Sequence, residues 1–76
     1  MKVNTQVELH RLATTHGEEP HLKNFLSNIA LGLNEGASCT VEQLRRGEEA
    51  AKEIVNGSGP TKVNLCFMIL YFNTCK

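Results

Sequence analysis

Residues 63–72 read Val-Asn-Leu-Cys-Phe-Met-Ile-Leu-Tyr-Phe, an almost unbroken apolar run near the end of a 76-residue chain. By composition the run is β-like. By helical period it carries two stripes: Val63, Cys66, Phe67 and Leu70 on one, Leu65, Met68, Ile69 and Phe72 on the other. A strand here would find no partner within the chain, and unpaired backbone groups are costly. A helix over 63–72 is therefore favoured over a strand. Such a helix is apolar all round and has to be buried on every side.

What surrounds that segment sets the rest of the fold. Three amphipathic helices precede it, and they can cover one of its faces but hardly both. The second face would form a contiguous exposed patch, which monomers seldom tolerate. A homodimer through the C-terminal segment, related by a two-fold axis, removes it. The expected interface is Leu65, Phe67, Met68, Ile69 and Phe72. The competing arrangement makes the segment the central helix of a compact monomer; were it a strand, two copies would pair edges instead.

Upstream, Thr40-Val41-Glu42-Gln43 has the pattern of a capping box, with Cys39 and Leu44 placed for a hydrophobic staple. The helix it opens sets Val41, Leu44, Ala51, Ile54 and Val55 on one side and charge on the other. Glu42–Arg46 and Glu48–Lys52 are i,i+4 pairs in the favourable order. Asn56-Gly57 stops this helix, and Ser58-Gly59-Pro60 makes the turn. Pro20 suits the first position of the preceding helix. Leu22, Phe25, Leu26, Ile29, Ala30 and Leu33 recur there as the most regular stripe in the chain, which must face a core. Gly32 costs about 1 kcal/mol in a helix interior and suits the close approach of a neighbour. The first helix is expected to start at Thr5, capped by its own hydroxyl with Glu8 reaching back. Leu9, Leu12, Ala13 and His16 form its inner face, and Gly17 ends it. The fold class is all-α: one domain, a small bundle of four helices.

Composition narrows the function. Eight basic and eight acidic residues cancel, and every acid is Glu, which tolerates helix interiors. A general affinity for nucleic acid normally shows as a positive excess. The three cysteines, Cys39, Cys66 and Cys75, have no CxxC spacing and are expected to be reduced thiols. The N-terminus carries no apolar leader and no segment approaches the roughly 20 residues of a membrane span, so a soluble cytoplasmic protein is expected. His16-x4-His21 is the nearest thing to a metal-ligand pair, and it straddles a proline turn, so no metal or cofactor is implied. A Cys–His nucleophilic site, Cys39 with His16 or His21, lacks a third orienting group.

The sequence thus predicts a non-catalytic protein that binds another macromolecule: a regulator, adaptor or inhibitor of a size common among phage and mobile-element proteins. Two alternatives stand beside it. Gln43, Arg45, Arg46 and Lys52 give residues 40–57 the outline of a recognition helix for DNA, although Glu42, Glu48, Glu49 and Glu53 would face phosphates with the wrong sign. The turn Gly57, Ser58, Gly59, helped by Arg45, Arg46 and Asn56, would hold an anionic group or nucleotide in a ligand-binding dimer.

Overall fold

The computed structural model describes residues 1–74. Two short strands, β1 (Lys2–Asn4) and β2 (Ser38–Thr40), accompany four helices: α1 (Thr5–Thr15), α2 (Pro20–Gly32), α3 (Val41–Asn56) and α4 (Lys62–Asn73). The all-α bundle expected from the sequence is present, and residues 63–72 are helical. The ribbon was not foreseen. β1 and β2 pair antiparallel with Val3 opposite Cys39, and each leads directly into a helix, β1 into α1 and β2 into α3.

α2 is the centre. Its stripe Leu22, Phe25, Leu26, Ile29, Ala30 and Leu33 is buried throughout, against Leu9 and Ala13 of α1, Leu44 and Ala51 of α3, and Met68 and Phe72 of α4. Cys39 of β2 is fully buried in the same core. Gly32 admits the side chain of Ile69, where a Cβ would collide with it. The side-chain amide of Gln6 donates to Ala30 O at 2.9 Å, adding a second donor to the Leu33 N that meets the same carbonyl at the end of α2. α2 ends at Gly32, and the chain is already extended at Leu33, the last residue of the stripe.

The start of α1 also differs from expectation. Asn4 is the cap, its side-chain oxygen accepting from Val7 N at 3.1 Å, and Thr5 lies inside the helix. The reason is the ribbon: pairing with β2 keeps the chain extended through Asn4, and Thr5 N then donates to Ala37 O at 3.0 Å. Glu8 does not reach back; its carboxylate accepts from Arg11 Nε at 2.8 Å. That hydrogen bond holds the Glu8 carboxyl below its usual range. The small stabilisation it brings is present above the ordinary carboxylate range and lost as pH falls through the lowered value.

The Thr5 hydroxyl is fully buried, and among the described residues no hydrogen-bond partner meets it. A buried hydroxyl without a partner costs roughly 1–3 kcal/mol. Thr5→Val keeps the shape and removes that cost, so a urea melt should show about 1 kcal/mol more stability. A lower midpoint would mean that the hydroxyl is bonded in solution.

α3 begins on the capping box read from the sequence: Gln43 N donates to Thr40 Oγ1 at 3.1 Å, and Thr40 N donates to Gln43 Oε1 at 3.2 Å. α4 runs back antiparallel along α3. Tyr71 Oη donates to Gln43 O at 3.0 Å, and one turn along α3 the ring of Phe72 lies directly on Gly47. A methyl group at Gly47 would sit inside that ring. Asn34 N donates to Asn73 Oδ1 at 3.0 Å, fixing the far end of α4.

Candidate interaction surface

The two stripes of α4 are sorted by Gly47 and Gly32. Each glycine opens a slot on a neighbouring helix, Phe72 filling one and Ile69 the other. Met68 follows Phe72 inward, leaving them 5% and 0% exposed. The opposite stripe therefore points outward. Val63 is 63% exposed, Phe67 63% and Leu70 57%, and Cys66 between them is exposed too.

This corrects the interface expected from the sequence. Met68 and Phe72 are core of the single chain, and Leu65 and Ile69 are half-buried against it. Of that set only Phe67 stands free. Val63, Cys66 and Leu70, all on the other stripe, take the outward places.

Phe67 is a ridge between two apolar hollows. One is walled by Lys62, Val63 and Cys66. The other, of about 410 Å³, lies between α3 and α4 and is lined by Arg46, Gly47, Ala50, Met68 and Tyr71. Ala50 is the small α3 side chain on its wall, and the Phe72 ring fills the place beside Gly47. Its one charged rim residue, Arg46, is paired with Glu42 at 2.5 Å. The surface is thus apolar and contoured, with the cation Lys62 at its end.

Comparison of the chain with protein-family models, curated proteins and solved structures finds no match.

The other residues singled out by sequence do not come together. Arg45 and Arg46 are exposed on the first turns of α3, but Arg46 is tied to Glu42, and the Gln43 side chain is committed to the cap. Residues 33–40 separate α2 from α3 and include β2. That link is longer than the 3–4-residue turn of a helix-turn-helix. Lys52 bonds Glu49 at 3.4 Å, not Glu48 as its spacing suggested.

In the Gly57-Ser58-Gly59 turn the amides of both glycines are already engaged within the chain. Gly57 N donates to Glu53 O at 2.9 Å and Gly59 N to Ile54 O at 2.8 Å, so both amides close the end of α3. Gly59 has φ +88, the left-handed backbone such a turn requires. The side-chain amide of Asn64 donates to Ser58 Oγ and to Gly59 O. Arg45 lies about 20 Å up the helix from Ser58 at 1.5 Å per residue, too far to share a ligand with it.

Glu48 has a different partner, which sequence spacing did not reveal. Its carboxylate meets His16 Nε2 at 2.7 Å, joining the end of α1 to the middle of α3 across a half-buried contact. His16 also borders an open cleft of mixed character with Glu19, Leu22, Lys52, Val55 and Asn56. His10 and His21 are exposed, and among the described residues no group of three or more His, Cys, Asp or Glu is placed to hold a metal. Cys39 and Cys66 are free thiols, and Cys75 lies outside the described residues. No helix among the described residues is long and apolar enough to cross a membrane.

Proposed function

We propose that this chain is a small non-catalytic binding protein of the cytoplasm, of the regulator, adaptor or inhibitor kind. Its working surface is the outward face of α4, and through that face it forms a homodimer. One observation carries this: three large apolar side chains, Val63, Phe67 and Leu70, are each more than half exposed on one face of one helix. Scattered exposed apolar residues are ordinary, whereas a contiguous stripe flanked by hollows is the mark of a binding surface.

The magnitudes predict a reversible dimer. Covering what remains exposed of these three side chains contributes about 1–2 kcal/mol each. Two copies therefore supply roughly 6–12 kcal/mol against an association cost of roughly 4–15 kcal/mol. Association in the micromolar range or weaker follows, leaving the face open to exchange with another protein.

Phe67→Glu tests the surface. The side chain is exposed in the monomer, so helicity by circular dichroism should be unchanged while association weakens at least about tenfold by light scattering. Unchanged association by a folded variant would remove α4 as the interface.

A further inference from the structure

We infer that the two copies pack α4 against α4 in antiparallel fashion, with Phe67 of each seated in the α3–α4 hollow of the other. This rests on the homodimer reading above and specifies its geometry.

Three features lead to it. First, ridge and hollow lie on the same face: Phe67 stands beside the depression lined by Gly47, Ala50, Met68 and Tyr71. A surface carrying both a projection and an adjacent cavity can complement a rotated copy of itself, as a two-fold interface requires. Second, the exposed stripe is nearly symmetric about its middle. Antiparallel pairing centred between residues 66 and 67 sets Val63 against Leu70 of the second copy, apolar on apolar at both ends. Third, the charges favour this direction. Lys62 is the cation at the end of the stripe, next to Val63. Antiparallel packing separates the two lysines by about 13 Å along the axis, beyond the screening length of about 8–10 Å, whereas parallel packing sets them side by side. Arg46 on the hollow's rim is already neutralised by Glu42.

The arrangement brings the two Cys66 residues together at the axis. Helix axes 8–10 Å apart, with a Cα radius of about 2.3 Å, bring facing Cα atoms to roughly 3.5–5.5 Å, and the one-residue stagger of about 1.5 Å between the two Cys66 leaves them within reach of a disulfide. Cross-linking therefore reads the geometry. In a Cys75→Ser chain the buried Cys39 is shielded and Cys66 is the exposed thiol. Mild oxidation with diamide, which takes up the two protons and two electrons of the thiol pair, should give a covalent dimer within minutes. The product should be abolished by dithiothreitol and reduced at least tenfold by adding Phe67→Glu. Ala50→Phe, which fills the hollow, should likewise lower cross-linking at least tenfold while the chain stays folded.

The failures separate. A dimer by sedimentation that cross-links no faster than the Phe67→Glu chain overturns the antiparallel seating and leaves the homodimer standing. A chain that stays monomeric at every concentration overturns both.

Discussion

Phe72→Ala is expected to remove about 3–5 kcal/mol of folding free energy, the usual cost of deleting a buried aromatic ring. Phe72 is fully buried and lies on Gly47 of α3, with the Tyr71 ring edge-on at 5.1 Å. A 76-residue domain has a total stability of roughly 4–11 kcal/mol, so this one change takes about a quarter of it or more. Thermal or urea unfolding should show a variant that is marginal at room temperature. A loss below about 1 kcal/mol would mean that the ring is not packed as described.

The second large effect runs against helix propensity. Gly47 occupies the interior of α3, where replacing glycine by alanine ordinarily gains about 1 kcal/mol. Here the added methyl would occupy the Phe72 ring's place. Gly47→Ala should therefore destabilise the protein by about 1–3 kcal/mol, the usual range for overpacking. The sign is the diagnostic. Combining Gly47→Ala with Phe72→Leu should recover part of the loss, because the smaller side chain vacates the space; strictly additive losses would exclude direct contact. A more stable Gly47→Ala protein would place Phe72 elsewhere.

Those two residues also explain what the sequence could and could not disclose. The core stripe of α2 was legible because six apolar positions repeat at helical spacing over one uninterrupted element. The cap of α3 was legible because Thr40 and Gln43 stand three residues apart in the chain. The two stripes of residues 63–72 were legible from period, and their helical state from the lack of a partner for a strand there. Which stripe turns inward was not. That depends on slots opened by Gly47 and Gly32, and Gly47 in particular reads in sequence as a plain propensity cost.

Other misses share this character. The His16–Glu48 contact joins residues 32 apart. Each strand has three residues, too few to show a period of two, and their pairing displaced the start of α1 from Thr5 to Asn4 as cap. The glycines of residues 57–59 suggested amides free for an anion, since sequence does not show that the carbonyls closing α3 use them first.

Sedimentation equilibrium of the unmodified, reduced chain, from roughly 1 μM to 1 mM, reads whether a second copy covers the outward face of α4. The outward face of α4 being covered by a second copy predicts an average mass that climbs from 8.4 kDa towards twice that value across the series. A mass that stays at 8.4 kDa to the highest concentration would contradict it.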